Sequence, residues 1–116
     1  MGKSQEMLHG TLDLLVLQAL SLRPMYGWLI AQRIRQVSGE VLAVNQGSLY
    51  PSLHRLEQRG WIEAAWETSE SQRRVKVYSL TAAGRRQLAR ETEDWRRFSG
   101  AVERLLGAVP GTGEPA

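Results

Sequence analysis

The period of the apolar residues changes twice along this chain, and that change restricts the fold more than any other feature. Before Gly60 the apolar residues recur every three or four positions, which is the spacing of amphipathic helices. Residues 61–80 alternate between apolar and polar side chains, as half-buried strands do, and helical spacing returns from Ala82. The sequence therefore predicts several short helices, then one β-hairpin, then a long last helix.

The ends of these elements are marked by residues that suit helix termini. Asn45 and Thr81 are good N-caps, because their side chains accept hydrogen bonds from free backbone amides. Pro24, Gly39 and Gly60 end the first three helices. The predicted helices span residues 11–22, 26–37, 46–59 and 82–106, and the predicted strands span 61–68 and 74–80 around a polar turn at 69–72.

The apolar stripes of the first three helices predict the core. The residues expected to face inward are Leu8, Leu12, Leu14, Leu15, Leu17, Leu22, Leu29, Ile30, Ile34, Val37, Leu49, Leu53 and Leu56. The resulting fold class is mostly α with a small β-hairpin, a winged helix-turn-helix followed by a long C-terminal helix. We expect the winged helix-turn-helix over residues 1–80, a dimerisation helix over 81–106, and a disordered, glycine- and proline-rich tail over 107–116.

The composition is that of one globular domain with a basic surface. The 116 residues carry a net charge of +3, and arginine dominates because the 15 basic residues include only Lys3 and Lys76 as lysines. Arginine donates hydrogen bonds in a fork that suits phosphates and guanine edges. No apolar run approaches the roughly 18 residues that span a bilayer. Residues 1–7 lack the pattern of a secretory signal and the chain has no cysteine, so we expect a cytoplasmic protein with no membrane partner.

Four stretches of the chain resemble the PadR family of transcriptional regulators. They are GSLYPSLHRLEQRG at 47–60, Tyr26-Gly27 before the second helix, QRRVKVY at 72–78 and LTAAG at 80–84. They occur in the family's order, and the resemblance covers about residues 8–106. It implies a homodimer whose winged helix binds double-stranded operator DNA and whose last helix dimerises. The short C-terminal region is similar to the smaller PadR subgroup, some of whose members are multidrug-sensing repressors.

The third helix and the hairpin carry the expected DNA contacts. With its leucines inward, the helix presents side chains that hydrogen-bond bases or contact phosphates in the major groove: Gln46, Ser48, Tyr50 and His54. The hairpin contributes a basic cluster that suits phosphates beside the minor groove: Arg73, Arg74 and Lys76. A second pair of basic residues, Arg55 and Arg59, lies one helical turn apart. The alternatives are a solvated amphipathic helix and a charged hairpin that only protects a sheet edge from aggregation.

Pro51 lies inside the predicted third helix. It has no N–H to donate to the carbonyl of Gly47, and its ring crowds that turn. We therefore expect a tightened or kinked first turn. A further hypothesis is that this kink presents Ser48 and Tyr50 to DNA.

The fourth helix carries an apolar face that needs a cover. Leu88, Trp95 and Val102 lie seven residues apart, and Phe98 and Leu105 widen the face. A domain of this size has no spare core, so we predict that these five residues form a homodimer interface. The alternative cover is the first helix of the same chain.

Trp95 and Phe98 are also the predicted binding site of an effector. In a two-fold dimer Trp95 approaches its symmetry mate, and two indole rings can hold a flat aromatic or cationic molecule, with Glu91 or Asp94 favouring positive charge. The alternative is a tryptophan that simply fills the interface.

The sequence thus predicts a transcriptional repressor released by a small apolar effector. The alternative functions are a winged-helix protein-interaction module and a ligand-binding protein without operator binding. We expect no enzyme, cofactor or metal, since His9 and His54 are the only histidines and neither lies in a metal-ligand or nucleophile motif.

Overall fold

The computed structural model describes residues 2–110, with side chains from Gly10 onward. The predictions for Leu8, for His9 and for tail residues 111–116 concern side chains or residues outside the described part. The elements are α1 (Gly2–Leu22), β1 (Met25–Tyr26), α2 (Gly27–Val37), α3 (Gln46–Gln58), β2 (Ile62–Thr68), β3 (Arg74–Leu80) and α4 (Ala82–Leu106). The predicted fold class is confirmed: helices dominate, a β-hairpin follows α3, and a long helix ends the order of elements.

Two of the predicted N-caps have the expected geometry. The Asn45 side chain accepts a hydrogen bond from the backbone N–H of Ser48 at 2.9 Å, and the Thr81 hydroxyl accepts one from Gly84 at 3.0 Å. α3 continues through Pro51 to Gln58 as one helix. α1 begins nine residues before the predicted start, because residues 3–9 are helix formers with no proline to interrupt them.

Within residues 2–110, the sheet has three strands rather than the two predicted. Its order is β1-β3-β2, and all pairs are antiparallel. The hairpin register runs from Ile62 opposite Leu80 to Thr68 opposite Arg74. Met25 pairs with Tyr78, so β1 ties the start of α2 to the base of the hairpin. β1 could not be predicted from the sequence, because two residues are too few to show an alternating pattern.

The core forms around α1. Among the described side chains, the buried apolar residues are Leu12, Val16, Leu17, Ala19, Leu20, Met25, Ile30, Ile34, Leu49, Leu53, Leu56, Ile62 and Tyr78. The inward leucines of α3 are confirmed. The predictions for Leu22 and Val37 were wrong, since these side chains are 60% and 69% exposed. Each lies in the last turn of its helix, where it borders an open groove between α1 and α2 instead of the core.

α4 begins against the base of the hairpin. Gly84 allows this contact, because a Cβ at that position would overlap the carbonyl oxygen of Trp61. Thr81 adds a second tie by donating its hydroxyl hydrogen to the carbonyl of Gly60 at 2.7 Å. Leu88 packs against the core cluster, but from Trp95 onward the large apolar side chains of α4 are exposed. The distal half of α4, residues 95–106, therefore has no cover within the described chain.

Candidate nucleic-acid interface

α3 presents one polar and aromatic face to solvent. Gln46, Tyr50 and His54 are exposed and lie four residues apart, so they follow one line along the helix. Leu49 and Leu53 lie on the neighbouring side of the helix and are buried. Ser48 is half-buried in the first turn of α3, where its backbone amide donates to the side chain of the N-cap Asn45. The helix phase predicted from the sequence is therefore the one observed.

Tyr50 lies against the start of α2 while 45% of its surface stays exposed. A Cβ at Gly27 would approach the Tyr50 ring to about 3.0 Å and its hydroxyl oxygen to 2.7 Å. The missing side chain at Gly27 therefore leaves room for the tyrosine ring. The result is an aromatic side chain that is supported on one side and open on the other.

We call the distal part of the hairpin, residues 66–76, the wing. It ends in a tight hydrogen-bonded turn. Ser69 N–H donates to the carbonyl of Arg73 at 2.7 Å, and Gln72 N–H donates to the carbonyl of Ser69 at 2.9 Å. Gln72 adopts a left-handed φ of 65° to close the turn. Arg73 and Arg74 are both exposed at its end.

Arg74 is oriented by an aromatic partner that the sequence analysis did not single out. Its guanidinium carbon lies 5.1 Å from the ring centroid of Trp66, which is 59% exposed. Such a cation–π contact favours a small set of arginine conformations while leaving the donors free. The strand alternation contained a signal, because Trp66 pairs with Lys76 across the hairpin and so shares a face with the basic residues.

The Lys76 ammonium contacts both a carboxylate and an aromatic ring of the protein. It lies 3.4 Å from the Glu57 carboxylate and 5.5 Å from the Tyr78 ring centroid. Burial is the main cause that raises the pKa of the Tyr78 phenol, so this side chain stays neutral beside the lysine. Part of the Lys76 charge is therefore offset within the protein.

These residues meet in one cleft between α3 and the wing, with a volume of about 390 Å³. It is lined by Tyr26, Gly27, Tyr50, Trp66, Arg74, Val75, Lys76 and Tyr78. The structure thus brings together three of the seven predicted DNA contacts, Tyr50, Arg74 and Lys76. Gln46 and His54 extend the same face along α3, whereas Arg73 borders the other side of the wing beside Trp28.

The second basic pair on α3 is already engaged. Arg55 donates to the Asp13 carboxylate of α1 at 2.8 Å, and the same oxygen accepts the Ser52 hydroxyl hydrogen at 2.5 Å. The Arg59 guanidinium lies 5.2 Å from the ring centroid of Trp61. Arg55 therefore lies on the side of α3 that packs against α1 and not on the exposed face of the helix.

The distal half of α4 has a different character. The side chains of Trp95, Phe98, Val102 and Leu105 are all exposed, and the Trp95 and Phe98 ring centroids are 6.1 Å apart. The nearby carboxylates have partners, since Asp94 pairs with Arg97 at 2.8 Å and Glu91 accepts a hydrogen bond from Gln87 at 2.8 Å. The predicted pull of Asp94 on a cation is therefore partly offset by Arg97, whereas the neutral Gln87 amide leaves the charge of Glu91 in place.

The described part of the chain offers neither a metal site nor a membrane-spanning helix. Those residues contain no group of three or more histidine and acidic side chains placed to hold a metal ion. None of their helices combines the length and the hydropathy that crossing a membrane requires.

Comparison with known proteins places this geometry in a family. The model of the transcriptional regulator PadR-like family matches residues 16–90. The chain is 36% identical over 73 residues to a transcriptional regulator of Mycobacterium tuberculosis, and the match covers 63% of this chain and 64% of that protein. A PadR-like transcriptional regulator from Bacillus cereus has a TM-score of 0.77 and 28% identity, over 90% of this chain and 99% of that one.

A further relative is much longer than this chain. It is an uncharacterized 37.1 kDa protein in a transposon of Streptomyces fradiae, 40% identical over 98 residues. The match covers 84% of this chain and 26% of that protein, so the chain spans about a quarter of this relative's length.

Proposed function

The chain belongs to the PadR-like family of transcriptional regulators, and from this premise we propose that it represses transcription by binding operator DNA as a homodimer. The observation that carries the proposal is the cleft between α3 and the wing. It combines the Tyr50 hydroxyl with the cationic groups of Arg74 and Lys76. Phenol and guanidinium donors at one edge of a helix suit the sugar-phosphate backbone.

The exposed face of α3 supplies the groups that would read bases. The Gln46 amide can both donate to and accept from a base edge, and His54 lies two turns further along the same face. If α3 lies in the major groove, the cleft meets the phosphates at the groove's edge and the wing reaches the next minor groove. Arg73 and Arg74 are then the phosphate contacts of the wing.

The salt dependence of DNA binding tests the role of the wing. Replacing Arg73 and Arg74 with alanine is expected to weaken binding to all sequences and to flatten the slope of log affinity against log salt by about two charges' worth. Arg85 and Arg86 are a matched control, because they form another adjacent, exposed arginine pair at the start of α4. If both double variants gave the same salt slope, the wing arginines would not be phosphate contacts in the DNA complex.

A selection of bound sequences from random DNA tests the proposal as a whole. An enriched palindromic consensus is the expected result, since a two-fold dimer binds two equivalent half-sites. A chain that enriches no sequence would instead fit one of the alternatives, a protein-interaction module or a ligand-binding protein. Placing the consensus upstream of a reporter gene separates repression from activation.

We propose that the distal half of α4 forms the dimer interface. Trp95, Phe98, Val102 and Leu105 expose an apolar surface that the described part of the chain does not cover, while Leu88 continues this face into the core. Sedimentation should give a dimer for the wild type and a monomer for Phe98→Asp, because a charge in an apolar interface is costly. Asp94→Asn changes charge nearby on an exposed side chain and serves as the control. A dimeric Phe98→Asp variant would move the interface elsewhere.

A second proposal concerns an effector at the Trp95 and Phe98 rings. The two rings lie 6.1 Å apart with a tilt of 41°, and both are exposed enough for a flat aromatic molecule to pack against them. Titration with a neutral and a cationic planar dye should quench tryptophan fluorescence, and Trp95→Ala should abolish binding while the chain stays dimeric. Since the Asp94–Arg97 pair is mostly exposed and Glu91 has a neutral amide as its partner, the cationic dye is expected to bind more tightly than the neutral one. Unchanged dye affinity in Trp95→Ala would reject this site, and a monomeric variant would make Trp95 part of the interface core.

We also infer that the protein acts in the cytoplasm. A transcriptional regulator acts where its DNA lies, and the absence of cysteine from the sequence suits a reducing compartment. Fractionation of cells that express the tagged chain tests this assignment.

A further inference from the structure

The contact between α1 and α3 contains a polar group among apolar side chains. The Asp13 carboxylate on α1 is largely buried, with 13% of its side chain exposed. One of its oxygens accepts hydrogen bonds from the Ser52 hydroxyl at 2.5 Å and from Arg55 Nη2 at 2.8 Å. Ser52 is itself fully buried, at 0% exposure. A single atom on α1 therefore holds two points on α3.

The position of these two points matters for the orientation of α3. Ser52 and Arg55 are three residues apart and so lie on the same face of the helix. Tyr50 and His54 are each two residues from Ser52, which is about 200° around a helix. The Asp13 carboxylate thus contacts α3 on the side opposite the exposed face of this helix. It therefore cannot touch a DNA molecule that is bound to the exposed face.

The surrounding contacts do not define this orientation by themselves. The α3 side of the interface is otherwise apolar, formed by Leu49, Leu53 and Leu56. Hydrophobic burial is non-directional, so leucines alone tolerate small rotations and shifts of a helix. Hydrogen bonds to a charged group are directional and among the stronger ones in proteins.

We propose that Asp13 is a positioning residue for DNA recognition, which sets the rotation of α3 and so the direction in which Gln46, Tyr50 and His54 point. This inference rests on the proposed function. It predicts that Asp13 affects the choice of sequence more than the overall attraction to DNA, because the wing arginines bind phosphates without reference to the angle of α3.

The test compares Asp13→Asn with Asp94→Asn on the selected operator and on random-sequence DNA. Asp94 is the matched control because it pairs with Arg97 at the same 2.8 Å but lies on exposed α4. Asp13→Asn is expected to weaken operator binding roughly tenfold, the size of one lost charged hydrogen bond. Its binding to random DNA, its salt slope and its dimer are expected to match the wild type, as Asp94→Asn should in every assay.

A second variant keeps the test independent of the first. Ser52→Ala removes the hydroxyl partner, and its effect on operator binding should be less than additive with that of Asp13→Asn, since both changes break the same group. Equal losses on operator and random DNA would overturn the inference and leave Asp13 as a stability residue. Undiminished operator binding in both variants would also overturn it. A wild-type chain that prefers no sequence would overturn the proposed function, and this inference with it.

Discussion

Tyr50 on α3 and Trp95 on α4 are almost equally exposed, at 45% and 44%, but their surroundings differ. Tyr50 shares a cleft with Arg74 and Lys76, whereas Trp95 lies beside Phe98, with Val102 and Leu105 exposed further along α4. An aromatic ring beside cationic groups suits a polyanion, because the cations attract its phosphates and the ring adds a further contact. An aromatic ring on an apolar stripe suits another apolar surface. Exposure alone therefore does not identify a partner, but the neighbours of an exposed ring do.

The same contrast holds between the body around α1 and the distal half of α4. In the body, α3 is fixed by buried leucines and by the Asp13 carboxylate. The distal half of α4 has an ion pair between Asp94 and Arg97, but both side chains are mostly exposed and the pair contributes little. The body thus buries its own apolar side chains, whereas those of residues 95–106 stay exposed in the described part of the chain, where the proposed dimer interface would cover them.

The largest expected effect comes from one substitution made in both regions. Leu53 is 1% exposed and Leu105 is 77% exposed. Leu53→Ala should lower the free energy of unfolding by about 2–5 kcal/mol at any protein concentration, because it leaves a cavity in the core. Leu105→Ala should have little effect on a dilute monomer and should weaken the dimer. Urea unfolding at two protein concentrations measures both effects. If Leu105→Ala destabilises the dilute chain as much as Leu53→Ala, α4 does not depend on a partner.

Most of this fold was predictable from the sequence, and the exceptions have physical causes. The bounds of α4 follow from the Thr81 cap and the helical spacing after it, and β3 follows from the alternation of polar and apolar residues that begins at Arg74. In contrast, the sequence shows Asp13 only as a polar residue within an apolar run. Its partner Ser52 is 39 residues away, and no local pattern connects them. The same holds for the cleft, because Tyr50 and Arg74 meet only through the packing of the hairpin on α3.

A smaller effect tests whether Tyr50 belongs to the DNA surface. Tyr50→Ala should reduce operator affinity by about 1–3 kcal/mol without changing the fold or the dimer. Val41→Ala is the control, since Val41 is 80% exposed and lines neither the cleft nor the pocket that borders Arg73. Gel-shift titration with the selected operator measures the difference. A Tyr50→Ala chain that unfolds would make this ring a core residue, and equal losses in both variants would leave the cleft without a special role.

The smallest expected effect concerns the link between Glu57 and Lys76, whose atoms are 3.4 Å apart at the edge of the cleft. Both side chains are more than a third exposed, so Glu57→Gln should cost less than about 1 kcal/mol of stability.

The effect of Glu57→Gln on DNA binding should have the opposite sign. Removing the carboxylate takes a negative charge away from Lys76 and frees this side chain to contact a phosphate, so affinity should rise roughly two- to fivefold. Glu63→Gln gives the matched control, because Glu63 is exposed on β2 and is not the ion-pair partner of Lys76. Fluorescence anisotropy on the operator and on random DNA at low salt measures both variants. An equal gain from Glu63→Gln would mean that net charge alone is responsible. A loss of affinity in Glu57→Gln would mean that the ion pair aims Lys76 at DNA rather than restrains it, and the body would then use charged contacts to orient both α3 and the wing.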